Sequence, residues 1–374
     1  MSLYIDLSEF LAVPMKTGIQ RISGELCRYL PAGTVIPVRL DSGRFLALPP
    51  ALISVIGGYF REGGESGVEE IRRLGGPSCG TPIKIEPDDT VIVPELFGEE
   101  RAKFFREMPK PELKRCRFIV YDLLPATHPE YFPPGMPLGT FGYFQVIRQA
   151  SHCGFISAYT RDMYYGRLKR TSDRGGVVLP LGSDALGARA TEVIVNRPLN
   201  FTVLGTIEPR KNHDLILDAF EPLLREIKGL TLSFIGKMGW VETDLAVRVQ
   251  ALARDKSSGL RFHSAPGDNA IRGFIEQSRA TIYVSGAEGY GLPPVESLWV
   301  GTPVIASKAI PSLEGIGSSG VHQVDPVTVL NLRRAVLAFL DNAYANQKTE
   351  ETVHLNLPTW QTFTEEVLRW CLAD

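Results

Sequence analysis

An α/β class is the fold prediction for this chain, and two observations carry it. Short β-branched runs alternate with helical periodicities from end to end, the pattern of parallel strands joined by crossover helices. The alternation also occurs as two successive series across 374 residues, more than a single hydrophobic core commonly supports. Apolar residues make up 44% of the chain, so a sizeable buried core is available.

In the first series the strands fall near 3–7, 35–40, 90–93, 118–122, 154–157 and 177–179. A helix should begin just after Gly18, because Ile19, Ile22, Leu26 and Leu30 share one face, and Pro31 with Gly33 should stop it. The Gly- and Pro-rich stretch 48–87 has weak periodicity and is expected to be a long, partly irregular insertion.

The second series opens with the strand FTVLG and a helix over 213–227. The strand TLSFIG, a helix over 244–253 and the strand LRFH follow. A helix over 269–278 then leads to the strand TIYVS, the loop GAEGYGLPP, a helix over 295–300 and the strand PVIAS. Two Rossmann-like domains are expected, 1–188 and 189–355, with parallel sheets facing a central cleft. The last stretch, 356–374, reads as an amphipathic helix with Phe363, Val367, Leu368 and Cys371 inward and Trp360 at its start, packing back toward the first domain.

Composition excludes several functions. A formal charge of -2 gives no general polyanion-binding surface, so nucleic acid is not an expected partner. The first residues, MSLYIDLSEFLAV, lack a basic region, a long apolar run and a cleavage site, which predicts a cytoplasmic protein. The five cysteines contain no C-x-x-C pair, disfavouring a disulfide framework or a zinc site. The histidines lack ligand spacing and no D-x-D triplet is present, so neither a metal nor another cofactor is expected. Nucleotide-triphosphatase, serine-hydrolase and dinucleotide-oxidoreductase motifs are likewise missing from the sequence.

The chemistry concentrates in GAEGYGLPPVESLWVGTPVIAS. Gly289 and Gly291 let backbone approach a ligand, the amides from Gly289 through Tyr290 to Leu292 open a helix, and a helix N-terminus favours an anion such as diphosphate. Glu288 and Glu296 flank that turn and can accept hydrogen bonds from hydroxyls on either side of the anion. In VLGTIEPRKNHDLILDAF, Arg210 and Lys211 stand at a strand-to-helix turn, where cations stabilise charge on a departing phosphate oxygen.

These two segments resemble the retaining GT-B glycosyltransferases of group 1, or family 4, and their bacterial mannosyl- and rhamnosyltransferase-like subgroup. The E-x7-E signature is carried by Glu288 and Glu296 and the G-x-x-x-P-R-K-N loop by Arg210 and Lys211. The resemblance implies that Glu288 sits by a donor sugar, Glu296 holds the ribose and the 289–292 backbone faces the diphosphate. Many members carry arginine directly after the strand glycine. This chain has Thr206 in that donor-side position, so either Arg210 supplies the charge or it is missing.

Two further segments match. T-G-I-x-R, with Gly18 and Arg21, resembles a helix start that approaches donor phosphate or acceptor. FIVYDLLPATHPEYF resembles an acceptor-side segment, making Asp122 a catalytic candidate and His128 an acceptor-side one. Tyr121 replaces the histidine common in the family, and a structural role for His128 weighs equally.

The resemblance implies a nucleotide-sugar donor, GDP-mannose or a related GDP-deoxysugar, with UDP- and dTDP-sugars open. It also implies a saccharide acceptor, lipid-linked, in cell-surface polysaccharide synthesis. A nucleotide-sugar epimerase or hydrolase and a noncatalytic scaffold are the competing readings. Basic residues from Arg101 to Arg117 around Phe104 and Phe105 suit peripheral contact with an anionic membrane at its inner face, although a solvated helix with buried phenylalanines is the favoured reading.

Overall fold

The structure, a computed structural model, describes residues 2–62, 65–169, 175–241 and 243–373. The chain divides into two compact units. One comprises 1–127, 134–182 and 358–374; the other comprises 128–133 and 183–357. The division thus falls at Gly182 and Ser183 rather than at 188, and six residues from the first half of the sequence group with the second unit.

In the first unit the strands are β1 (Leu3–Asp6), β2 (Ile36–Asp41), β3 (Arg44–Ala47), β4 (Thr81–Pro82), β5 (Thr90–Val93), β6 (Cys116–Val120), β7 (His152–Phe155) and β8 (Val177–Val178). They lie in the order β4-β3-β2-β1-β5-β6-β7-β8, antiparallel only at the β2–β3 and β3–β4 pairs. All residues of β1, β5 and β6 are buried, as central parallel strands covered on both faces require. Phe97, Phe105, Phe118 and Tyr143 interlock over the sheet, with the Phe97 and Tyr143 centroids 5.0 Å apart. Each such ring contributes roughly 1.5–3 kcal/mol by leaving water.

The 48–87 stretch is not the irregular insertion its composition suggests. Helices Ala51–Glu62 and Glu65–Gly75 occupy most of it. Leu52, Ile56, Tyr59 and Phe60 are buried on one face, and glycine interrupts the apolar pattern where two helices touch. A β-carbon on Gly57 would lie 2.8 Å from Arg28 Cα in the helix Gly18–Tyr29, so a close crossing demands the residue that obscured the periodicity. The helix Trp360–Leu372 belongs to this unit, with Trp360, Phe363, Val367 and Cys371 buried.

The basic stretch 101–117 turns much of its charge away from solvent. Arg101 is buried in an ion cluster with Asp6, with Glu95 at 3.1 Å and with Glu9 at 3.2 Å. Arg106 pairs with Glu99, and Arg115 and Arg117 donate to the carbonyls of Ile85 and Lys114. Phe105 is fully buried on the helix Glu99–Glu107, whereas Lys103, Lys110 and Lys114 stay exposed. No helix among the described residues is long and apolar enough to cross a membrane.

The second unit holds β9 (Asn200–Leu204), β10 (Thr231–Ile235), β11 (Leu260–His263), β12 (Ala280–Tyr283), β13 (Val304–Ser307) and β14 (Val321–Val324), all parallel. Their order, β11-β10-β9-β12-β13-β14, is the doubly wound one in which the chain starts at the centre, runs to one edge and returns to fill the other side. Phe201, Phe220, Phe234 and Ile282 pack its core. The reversal falls between β9 and β12, the position in a doubly wound sheet where ligands commonly bind.

Candidate active site

Both charged motifs emerge at this reversal. The loop after β9 makes a short 3₁₀ turn, Pro209–Lys211, and Asn212 caps the helix His213–Glu226 from a left-handed conformation at φ 54°. Asparagine tolerates that conformation, and its Nδ2 donates to the Val284 carbonyl at the end of β12 (2.7 Å). The Gly286 amide donates to the Arg210 carbonyl at 2.8 Å. Two backbone-directed bonds therefore join the loops before any charged side chain is counted.

Arg210 then spans them. Its guanidinium meets Glu288 at 2.5 Å and Glu208 at 2.7 Å, and Nη1 donates to the Ala287 carbonyl at 3.1 Å. Lys211 stands 4.0 Å from the same Glu208 carboxylate. Ser285 donates to Glu288 at 3.0 Å and Ser307 donates to the Ser285 carbonyl at 2.6 Å, which fixes the glutamate from below.

The side chains of Arg210 and Lys211 are each 16% exposed, a degree of burial at which charges interact through poorly screening surroundings. Burial pulls the Lys211 ammonium below its ordinary range; Glu288 opposes this, Arg210 adds to it and Glu208 opposes it. Burial pushes the Glu288 carboxyl up, but Arg210 and Lys211 together outweigh it, and its pKa ends below the usual value. Two cations and two carboxylates thus balance at the loop, with an ionised Glu288.

Glycines make this approach possible. Gly205, at φ +122°, follows β9, and a β-carbon there would lie 2.2 Å from Lys211 Nζ, so the lysine head occupies the space a side chain at 205 would take. Thr206 follows, with its methyl 2.5 Å from where a β-carbon on Gly239 would stand, and it carries no charge into the loop. Arg210 is the arginine that reaches the site's carboxylates.

Gly291 caps the helix Leu292–Trp299 at φ +91°. Prolines are accommodated in the first helical positions, so this helix starts at Leu292 instead of 295. Glu296 consequently lies in its second turn rather than its first, and it is buried. Tyr290 is buried as well, and its carbonyl accepts from the Ser312 amide at 2.8 Å, while the Gly291 carbonyl accepts from Ser312 Oγ at 2.6 Å.

The remaining candidates belong elsewhere. Asp122 lies in the first unit just beyond β6, where Oδ1 accepts from the Leu124 amide at 3.1 Å as a turn cap. Gly18 begins its helix, with Thr17 accepting from the Gln20 amide, and a β-carbon on Gly18 would meet nothing within 4 Å. Arg21 is 4.9 Å over the Phe60 ring and 4.0 Å from Glu25. His128 groups with the second unit, its Nδ1 3.0 Å from Glu130. A cavity in the first unit lined by Cys27, Arg28, Gly33, Ser54 and Gly57 contains none of these candidates.

Glu208, Ser285 and Asn212 were not singled out by sequence reasoning. Glu208 sits inside the P-R-K-N motif's own loop, and its burial beside two cations was the missing signal. His213, next to Lys211, is buried edge-on against Phe234 at 5.1 Å and is held far below the ordinary histidine value, at about 3, by burial and then by Lys211.

Comparison with known proteins agrees with the motifs. Residues 188–353 match the family described as glycosyl transferases group 1. The chain is 25% identical over 393 aligned positions to the serotype-specific mannosyltransferase WbdA of Escherichia coli, covering 98% of this chain and 44% of that protein. It spans less than half the length of that relative. A shorter match, 30% identical over 119 residues, covers 32% of the chain and 31% of the O-antigen chain mannosyltransferase B of Escherichia coli. Among solved structures, HepE of Anabaena in complex with UDP and glucose aligns over 99% of this chain and 98% of its own, with a TM-score of 0.65 and 13% identity, which places the fold in the GT-B type.

Proposed function

We propose, for a chain whose residues 188–353 belong to the group 1 glycosyl transferases, that it transfers a hexose or deoxyhexose from a nucleotide diphosphate donor to a saccharide acceptor with retention of configuration. The observation that carries this reading is the Arg210–Glu288 pair with Lys211 at the reversal between β9 and β12. A diphosphate seated over the Leu292–Trp299 N-terminus would present its glycosyl oxygen to this loop.

In the reaction the glycosyl–oxygen bond breaks and negative charge collects on the nucleotide's terminal phosphate. Lys211 stabilises that charge; Arg210 helps and holds Glu288 toward the sugar. Glu296 and the backbone from Gly289 through Tyr290 to Leu292 bind the nucleotide, with Gly18 and Thr206 as further donor contacts. An acceptor hydroxyl attacks the anomeric carbon from the face the phosphate leaves, and its proton passes to the departing phosphate oxygen; Asp122, Arg21 and His128 are the acceptor-side groups that the motif resemblance implies. The proposed reaction is metal-independent, with Lys211, Arg210 and the helix amides as the positive partners of the phosphate.

The mannosyltransferase relatives support mannose as the sugar transferred; GDP as its carrier and a lipid-linked polysaccharide as acceptor rest on the motif resemblance. Peripheral work at the cytoplasmic face of the membrane follows from that acceptor. The test is nucleotide release by the purified protein from GDP-mannose, UDP-glucose and dTDP-rhamnose, in EDTA, with and without mannosides. Acceptor-dependent release from one donor is the expected result. Release that ignores the acceptor favours an epimerase or hydrolase, and no release from any donor overturns the transfer reading.

A further inference from the structure

Residues 128–133 come from the first half of the sequence yet group with the second unit, and Trp240 supplies the anchor. Its indole Nε1 donates to the Tyr131 carbonyl at 2.8 Å, and its ring lies 6.1 Å from that of Phe132 at an interplanar angle of 30°. This hold carries the Tyr131 phenol to the loop after β12. A β-carbon on Gly286 would stand 2.5 Å from the Tyr131 hydroxyl oxygen and 3.9 Å from the Arg210 carbonyl. Gly286 lies two residues before Glu288, so an aromatic ring borders the charged loop itself.

The ring also has an aromatic neighbour of its own. His128 stacks on Tyr131 with centroids 5.6 Å apart, and its Nδ1 is 3.0 Å from Glu130 Oε1. His128, Tyr131, Phe132 and Trp240 are each half-buried, which leaves ring surface accessible beside polar groups that can meet hydroxyls. A pyranose has this dual character: its C–H edges are slightly positive and pack on the negative face of an aromatic ring, while its hydroxyls need hydrogen-bond partners. Diphosphate lacks that C–H surface; it would take the cations Arg210 and Lys211 and the amides of the helix N-terminus.

We propose that segment 128–133, pinned by Trp240, is the saccharide-selecting wall of this site, and that Tyr131 is a specificity-determining residue whose ring stacks on the acceptor sugar. The inference rests on the glycosyl-transfer reading above and names the part of the site that reads the acceptor. Trp240 is a positioning residue, acting through the Tyr131 carbonyl.

The experiment uses the full chain with GDP present and saturation-transfer NMR on methyl α-mannoside, α-mannobiose and N-acetylglucosamine. Tyr131→Leu keeps apolar bulk without a ring, and Tyr131→Phe keeps the ring without the hydroxyl. Wild-type protein is expected to saturate the C–H protons of a saccharide. Tyr131→Leu should weaken that contact by about tenfold, and Tyr131→Phe should stay within about threefold. Trp240→Phe, which loses the N–H donor, should raise the acceptor KM more than it lowers kcat. Equal saccharide binding by wild type and Tyr131→Leu, or no saccharide contact by wild type, overturns the proposal. Saccharide contact without donor turnover sinks the transfer reading and leaves the wall standing. Donor turnover with an unchanged acceptor KM in Tyr131→Leu sinks the wall alone.

Discussion

Arg210 Nη1 stands 2.5 Å from Glu288 Oε2, and this pair ties the loop after β9 to the loop after β12. A largely dehydrated ion pair contributes little net stability, because desolvation offsets much of the attraction. Its effect is orientation: Glu208 holds the same guanidinium from behind, so Glu288 has one geometry rather than several.

Truncating the charged groups therefore costs activity without unfolding the protein. Lys211→Ala and Glu288→Ala should each lower kcat by roughly 10²–10³-fold, the scale of losing one preorganised group at a developing charge. Steady-state kinetics beside circular dichroism measures both; normal turnover in either variant removes that residue from the reaction.

Glu208→Gln separates positioning from binding. It removes one negative charge beside Arg210 and Lys211, so GDP should bind a few-fold more tightly while kcat falls about tenfold as the cations lose their shared anchor. Calorimetry and kinetics on the same preparation read the two signs, and an affinity that falls with kcat contradicts this role.

Glu296 should matter chiefly for the nucleotide. Replacing it by alanine removes hydrogen bonding by a buried carboxylate, an interaction on the order of 1.5–3 kcal/mol, so GDP affinity should drop by about 10–100-fold. Titration of GDP in EDTA decides the matter, and an affinity equal to wild type would move the ribose site elsewhere.

His213 gives stability a pH dependence of definite sign. Its folded pKa of about 3 lies below the unfolded value of 6.5, so between those limits the unfolded chain binds the extra proton. The contribution is complete above 6.5 and is lost as pH falls, by about 2 kcal/mol between pH 7.5 and pH 5. Glu95, buried and pushed up to about 7, works in the opposite direction over an overlapping range. Denaturant unfolding of wild type and His213→Asn at both pH values isolates the histidine; parallel losses would rule out its role.

Gly286→Ala should be tolerated only after Tyr131 loses its hydroxyl. The added β-carbon would meet the Tyr131 oxygen at 2.5 Å, whereas the ring carbon behind it is at an ordinary 3.4 Å. The single variant should lose about 1–3 kcal/mol and Tyr131→Phe should restore most of it. Thermal melts of the two singles and the double form a complete cycle, in which simple additivity would show that the contact is not made.

Several features were legible because they depend on near neighbours in the chain. The β-branched runs identify the central strands, and the glycine and proline turn between Glu288 and Glu296 identifies a helix N-terminus for an anion. Where packing wrote the residues, the chain was harder to read. Gly57 looks like a breaker but serves a helix crossing, and Arg101 looks solvated but is buried in ion pairs with Asp6 and Glu95.

The sequence by itself determined the α/β class, two successive strand–helix series and the loops bearing Arg210, Lys211, Glu288 and Glu296. These follow from hydrophobic period, turn chemistry and local spacing. Tertiary structure decided that β9 lies beside β12, that Glu208 holds both cations, and that Tyr131 joins the second unit through Trp240. Each is a contact between residues whose proximity depends on strand order or on burial, and neither quantity is carried by any short stretch of chain.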